Sequence, residues 1–369
     1  MEIREVTGRH DRRAFLDLPS RVYADLPLWV APLRRDERFM LGRRHPFHRH
    51  STAAFFVAED RSGIVGRIAV LDHRRWNQHR GTRDAIFTLF ESVDDESVAT
   101  ALFETAAAWA QRRGLADMVG PIGMLPSDGH GVLVEGFELP PVLGVGYHPP
   151  YYDRLIKASG FVKATDYLSG RLAVDHDVPA EILAAADTAA AEGGYTVTTL
   201  RSRRELRKWA ARIGELYNGT FQSNWEHIPV DDAEIKVMAN QFLPIADPRL
   251  IAFLTHGDDI AGYLLILPDV SAAVRRARGR LTPRGLVGIL RSVRTTREVI
   301  LLGFGISPPH RGTGANLVMY ATLARKAAEH RFRSAEVVQV EEGNTAMMRN
   351  MAALGVPWTK RHRIYRRSP

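Results

Sequence analysis

The sequence predicts an α+β protein built from two tandem units, each a mixed, mostly antiparallel twisted sheet flanked by helices. Three observations point there. The chain has 369 residues, and at roughly 150 residues per domain that is enough for two units. The same order of strand-like and helix-like runs appears on either side of residues 172–194. Glycine and proline sit at the ends of those runs and punctuate them into elements.

In the first unit, 2–6 reads as a strand, and a helical, polar-punctuated stretch follows to about Met40. Residues 54–58 and 64–71 alternate as a hairpin turning at Arg61-Ser62-Gly63, and 85–91 is a further strand. Residues 96–113 form an amphipathic helix with Leu102, Ala106 and Trp109 on one face, ended by Gly114. A short strand at 117–120, a helix at 151–159 ended by Gly160, and a last strand from Phe161 complete the unit. Pro179 then opens an Ala-rich helix, 180–192, which Gly193-Gly194 terminates. The second unit repeats the order: strand 195–200, helix 203–221, and a hairpin of 251–255 and 260–267 around Gly257-Asp258-Asp259. Strand 298–306, helix 315–330, strand 335–340, helix 345–354 ended by Gly355, and a final strand 361–365 follow. The expected division is 1–171 and 172–369.

Composition narrows the function classes. Hydrophobic residues make up 45% and charged residues 25% of the chain, ordinary for a globular protein. With no cysteine there is no thiol nucleophile, disulfide frame or thiolate zinc site. The first five residues have no apolar core behind their charges, and no run reaches the roughly 18 apolar residues of a spanning helix. A cytoplasmic protein is expected, with a peripheral contact at the inner membrane face left open. Lys and Arg number 50 against 42 acids, a formal +8, and only six are lysine. Arginine suits phosphates, but no helix-turn-helix, zinc finger or aromatic-Arg platform appears, so no nucleic-acid partner is expected. The histidine-rich run His45-Pro46-Phe47-His48-Arg49-His50 lacks fixed ligand spacing and no HExxH is present, so no metal is expected. Leu286, Ile289, Leu290 and Val293 share one face of a helix whose other positions hold Arg284, Arg291 and Arg294, a pattern that can lie on an anionic membrane surface.

The most informative stretch is the strand 299–306, then Ser307-Pro308-Pro309-His310, then Arg311-Gly312-Thr313-Gly314-Ala315-Asn316 opening a helix. Backbone N–H groups at such a helix start are free and favour anions, and glycine lets a pyrophosphate approach closely. The loop is neither GxxxxGK[ST] nor GxGxxG. It resembles the pyrophosphate loop R/Q-x-x-G-x-G/A of the GNAT superfamily, the Gcn5-related N-acetyltransferases. Arg311 and Gly314 match, and Asn316 stands where Gly or Ala is usual. Downstream, Asn344 and Gly355 fit the pattern, while Met351 occupies the place of a tyrosine that often protonates the leaving thiolate. A wider resemblance covers most of the chain. It is carried by Tyr23-Ala24-Asp25-Leu26-Pro27-Leu28-Trp29-Val30, Phe90-Glu91-Ser92, Gly131-Val132-Leu133-Val134-Glu135-Gly136-Phe137, Pro149-Pro150-Tyr151-Tyr152, Asn224-Trp225, Pro268-Asp269 and Arg363-Ile364-Tyr365. It points to the YghO-like branch of large bacterial GNAT-type proteins, and to bacterial ceramide synthases, which N-acylate a long-chain sphingoid base.

The resemblance implies an acyl-CoA-dependent N-acyltransferase using acetyl-CoA or a longer acyl-CoA, with a small-molecule or lipid amine as acceptor. Phe304, Gly305, Ile306, Arg311, Gly312, Thr313, Gly314, Ala315, Asn316 and Asn344 would hold coenzyme A. Asn224, Trp225 and Tyr320 would line the acceptor. The first unit has Glu91-Ser92-Val93-Asp94-Asp95-Glu96 where a phosphate loop would fall, so it reads as a degenerate copy. For the base that deprotonates the acceptor, Glu341, Glu342, Glu298 and His227 are candidates, with Glu341 preferred by alternation along its strand and His227 next. Tyr320 and Tyr365 are candidate substitutes for the missing tyrosine. The competing reading is a GNAT-fold acyl-CoA-binding pseudoenzyme or regulatory binding protein, motivated by Asn316 and Met351.

Overall fold

In the computed structural model of the chain, residues 1–174, 178–220, 225, 227–280 and 282–368 are described. Their strands are β1 (Glu2–Glu5), β2 (Thr52–Asp60), β3 (Gly63–Asp72), β4 (Ala85–Ser92), β5 (Met118–Gly120), β6 (Val132–Glu135), β7 (Val162–Ala173), β8 (Tyr195–Thr199), β9 (Ile251–His256), β10 (Asp259–Pro268), β11 (Glu298–Ile306), β12 (Ser334–Glu341) and β13 (Trp358–Arg367). All join one sheet in the order β1-β2-β3-β4-β5-β13-β7-β12-β11-β10-β9-β8, with β6 paired to β13.

That order reads alike from both ends. Each half runs as an antiparallel meander into one parallel pair, β4·β5 in the first half and β11·β12 in the second. Each half then gives its last strand to the other: β13 docks on β5, β7 docks on β12, and the two pair antiparallel at the centre. The α+β architecture expected from sequence is present, with both sheets fused through this exchange.

Long helices bury one face each. In Glu96–Gln111, Leu102, Phe103, Ala106 and Trp109 pack with Phe56, Ile68 and Phe87 of the sheet. Truncating a buried ring such as Phe103 to alanine costs about 3–5 kcal/mol. In Ala315–His330, Val318, Met319 and Ala327 pack with Leu254, Leu264 and Val299 in the same way.

The central β7·β13 junction is pinned by Asp166. It has no solvent exposure and accepts bonds from Arg363 at 2.8 and 2.9 Å and from Arg361 at 3.1 Å, with Lys163 at 3.0 Å. Burial alone would raise this carboxyl; the bonds from Arg363 and Lys163 outweigh it and hold the group at about 2. The Asp166 carbonyl also accepts the Glu342 N–H at 2.9 Å, which fixes the end of β12 where the site begins.

Candidate acyl-transfer site

The β11·β12 pair opens part-way along. Register runs from Glu298↔Ser334 to Leu301↔Val337 and stops. Two irregularities open the gap. On β11, pairing to β10 skips Leu302, so the strand bends there. On β12, pairing to β7 skips Val338 and Gln339, and Gln339 has φ 49, a left-handed backbone. Ser169 Oγ accepts the Gln339 N–H at 3.0 Å, and the Gln339 side chain donates to the His130 carbonyl at 2.7 Å. Residues 303–306 pair with β10 on one edge, so their other backbone groups face the gap.

At the far end of β11 the chain turns through Pro308–His310 into helix Ala315–His330. Gly314 is the N-cap with φ 85, and no side chain caps this helix start. Its first N–H groups are therefore left to solvent or a ligand. Gly312 also has a positive φ of 77. Arg311 Nε donates to the Ile306 carbonyl at 3.2 Å, and Thr313 Oγ1 donates to the His310 carbonyl at 2.7 Å. The Tyr195 hydroxyl lies 2.6 Å from Thr313 Oγ1 and 3.0 Å from His310 Nδ1, bracing the loop from β8. The first half differs at the equivalent helix start. Asp95 caps helix Glu96–Gln111 by accepting from Ser97 N–H at 2.8 Å, and Arg154 bridges Asp94 and Glu96.

Below the open gap lies a cavity of about 340 Å³, within the usual range for a ligand site. Its walls come from three places. Leu301 to Phe304 and Val337 to Glu341 supply the splayed strands. Helices Arg203–Thr220 and Asp232–Phe242 supply Leu206, Ile213, Tyr217, Met238, Ala239 and Phe242. The first half supplies Pro126, Ser127 and His130. Most of this lining is aliphatic or aromatic, and the ionisable groups on it are few.

Glu341 is one of them. Thr165 Oγ1 donates to its carboxylate at 2.6 Å. Glu342 points elsewhere: Lys163 Nζ donates to it at 2.9 Å, and it accepts the Asp166 N–H at 3.1 Å. Counting by twos along β12 assumes a regular strand, and the bulge at Gln339 breaks that count. His130 is the histidine on the lining, and sequence reasoning missed it. Gly129 and Gly131 flank it, both at φ 77, and its ring lies 4.6 Å from that of Tyr167. Burial lowers its imidazole to about 4, so it is neutral at pH 7. The flanking glycines were the one local signal for it.

The remaining sequence candidates fall as follows. Phe304 and Asn344 line the cavity. The Asn344 side chain accepts from Met347 N–H at 3.2 Å and caps helix Thr345–Ala353. Gly305 and Ile306 continue β11 toward the loop, and Ala315 and Asn316 form the first turn of its helix. Met351 is buried and lines the same cavity. Tyr320 is not on the lining; it stacks on Phe304 with centroids 4.8 Å apart. Its hydroxyl has no partner among the described residues, and burial pushes it up to about 12. His227 is 1% exposed, with its ring 5.0 Å from His79 and 5.2 Å from Tyr217, so it stands behind the cavity wall. Burial, then His79, lowers it to about 4. Trp225 packs on Trp76 at 5.4 Å, with the Arg80 guanidinium over its ring, away from the lining. Asn224 lies outside the described residues. Glu298 begins β11 at the end opposite the loop, and Tyr365 donates to Asp153 at 2.6 Å. Near the histidine-rich run, His50, Asp231 and Glu234 offer ligand atoms within 4.8 Å of one another, but Arg75 already bonds both carboxylates.

The arrangement of this sheet and its flanking helices recurs in solved structures. A tandem GNAT protein from the clavulanic acid biosynthesis pathway aligns over 100% of this chain and 98% of its own, with TM-score 0.55 and 15% identity. The chain has the tandem GNAT fold. A GCN5-related N-acetyltransferase from Sphaerobacter thermophilus aligns over 100% and 95%, with TM-score 0.51 and 14% identity. By sequence the chain is 27% identical over 365 residues to a bacterial ceramide synthase of Caulobacter vibrioides, covering 96% of this chain and 94% of that protein. It is 24% identical over 373 residues to protein YghO of Escherichia coli, covering 98% and 94%. The solved-structure likenesses show the shared fold. No protein-family model matches the chain.

Proposed function

We propose that the chain is an acyl-CoA-dependent N-acyltransferase that moves a long acyl group from a coenzyme A thioester to a lipidic amine. The apolar cavity between the splayed strands and helices Arg203–Thr220 and Asp232–Phe242 carries this reading, because a short acetyl group and a polar amine would leave it unfilled. The GNAT fold and the name of the Caulobacter relative support acyl transfer in general. Units 1–171 and 172–369 divide the work: the second holds the thioester, and the first supplies part of the cavity wall. The carboxylates at the first unit's helix start repel a pyrophosphate, so one coenzyme A is bound per chain.

In this reading the uncapped helix start at Gly314 faces the pyrophosphate, and Arg311 adds positive charge. Backbone N–H groups of residues 304–306 that face the gap polarise the thioester carbonyl. Glu341 takes a proton from the ammonium, the free amine attacks the carbonyl carbon, a C–N bond forms, the C–S bond breaks, and the second proton lost by the nitrogen ends on the departing sulfur. The leaving thiolate, with a thiol pKa of about 8.5, departs without a tyrosine acid. That fits Met351 at the tyrosine position.

The competing reading, an acyl-CoA-binding protein without turnover, is favoured by Asn316 in the loop and Met351 at the tyrosine position. Thiol release from palmitoyl-CoA in the presence of a long-chain amine separates the two. Amine-dependent release supports transfer, and binding of palmitoyl-CoA with no release across an amine panel supports the binding protein.

A further inference from the structure

We infer that helix Pro283–Thr295 and the arginine-rich segment before it form a face that docks on an anionic lipid bilayer. The helix seats itself on the protein with little of its apolar surface. Ile289 is buried and Val293 half-buried against the cluster that contains Leu206, Leu267 and Val274. Leu286, Val287 and Leu290 instead stand 45%, 64% and 40% exposed. They are three of nine large hydrophobic side chains exposed to this degree among the described residues, and all three lie on one helix. Isolated exposed apolar residues need no explanation, but a cluster on one helix face does.

Charge identifies the partner. Residues 271–297 hold Arg275, Arg276, Arg278, Arg280, Arg284, Arg291, Arg294 and Arg297 and no acid. None of these eight makes an ion pair or side-chain hydrogen bond among the described residues. Some arginines elsewhere are paired, as Arg363 is with Asp166 and Arg75 with Glu234; what sets this segment apart is eight arginines with no acid among them. Residues 287, 290, 291 and 294 return to the same side at three- and four-residue spacing, so Val287 and Leu290 stand beside Arg291 and Arg294. Arg203 of the neighbouring helix joins them around a shallow groove. Apolar side chains ringed by arginines that form no ion pair among the described residues match the boundary between acyl chains and phosphate headgroups. A nucleic-acid backbone would satisfy the arginines and leave Leu286, Val287 and Leu290 uncovered, so the bilayer is the better partner.

The inner face of this helix packs on the cluster that includes Leu206, Leu267 and Phe242, which also line the cavity. Docking would therefore hold the cavity close to the membrane, where a long-chain substrate partitions. The docking face stands whether or not the chain catalyses transfer.

Vesicle co-sedimentation of the full chain tests it, using equal parts phosphatidylglycerol and phosphatidylcholine against phosphatidylcholine alone. The protein should sediment with the anionic vesicles, less so as salt rises, and remain in solution with the neutral ones. Joint replacement Arg284→Gln, Arg291→Gln and Arg294→Gln should lower partitioning on the order of 100-fold. Joint replacement Leu286→Ser, Val287→Ser and Leu290→Ser should also weaken it, with melting temperature unchanged because those side chains are exposed. Val287→Trp should show a blue shift in fluorescence on adding anionic vesicles. The proposal falls if the chain ignores anionic vesicles, or if the serine variant sediments as before. It falls equally if light scattering finds a dimer that the serine variant dissolves, or if duplex DNA binds and the serine variant leaves that binding intact.

Discussion

Thr165 on β7 donates a 2.6 Å hydrogen bond to the carboxylate of Glu341 at the end of β12. The donor comes from the strand that the first half lends to the second, so strand exchange itself orients the proposed base. Glu341→Gln should lower turnover about 10²- to 10⁴-fold while leaving coenzyme A affinity intact, and higher pH should recover part of the loss. Thr165→Val keeps the carboxylate and loosens its aim, so a smaller loss, about 10-fold, is expected. Steady-state kinetics with a saturating amine check both, and full activity of Glu341→Gln would shift the role to His130, the histidine on the lining, and then to His227.

Coenzyme A binding should depend on the turn at Gly314. Its φ of 85 is a conformation a β-branched residue avoids, and an added Cβ would come within 3.0 Å of Ala189. Gly314→Val should cost roughly 1–3 kcal/mol of stability and abolish measurable coenzyme A binding in calorimetry. A folded variant, checked by circular dichroism, with unchanged affinity would remove the loop from the site.

Chain-length preference should follow cavity volume. Ala239 lines the cavity from helix Asp232–Phe242. Ala239→Phe fills space there, so it should shift the kcat/KM preference from long toward short acyl-CoAs by at least about 10-fold. An unaltered preference would place the acyl chain elsewhere.

Mild acid should destabilise the protein. Burial holds His45, His130, His227 and His362 at about 4, and His73 and His148 at about 3. The unfolded chain, with histidines near 6.5, takes up protons first as pH falls, so stability drops from about pH 6.5 down to about pH 4. Each such histidine contributes at most about 1.4 kcal/mol per pH unit in that window. Asp128, raised by burial to about 6, and Glu37 and Glu91, also raised by burial, work in the opposite sense, but they are three groups against six histidines. Melting temperature should fall by roughly 5–10 °C between pH 7.5 and 5.5 in differential scanning fluorimetry. A flat or rising profile would contradict the buried, neutral state of these rings.

Local patterns were legible where chemistry is local. The hairpin β2–β3, the Leu102–Trp109 face and the glycine turn before Ala315 follow from alternation, helical spacing and residue type. Helix Asp232–Phe242 carried a readable signal: Asp231 and Glu234 form a capping box, and the helix lends Ile235, Met238, Ala239 and Phe242 to the cavity wall. Other features have no local signature. The exchange of β7 and β13 is a pairing across some 200 residues of sequence, Asp166 with Arg363. The bulge at Gln339 arises from tertiary bonds to Ser169 and His130, and it undoes face-counting along β12. Tyr320 shows the same limit: it stacks on Phe304 and is not on the lining, and nothing in the sequence says which side of β11 the cavity takes.

The most direct measurement of the central claim is mass spectrometry of products formed from palmitoyl-CoA with three acceptors: a sphingoid base, dodecylamine and free lysine. The account predicts an amide of the long-chain amines, one coenzyme A released per amide formed, and its loss in Glu341→Gln. Palmitoyl-CoA bound without any amide, or an amide formed with lysine alone, would contradict it.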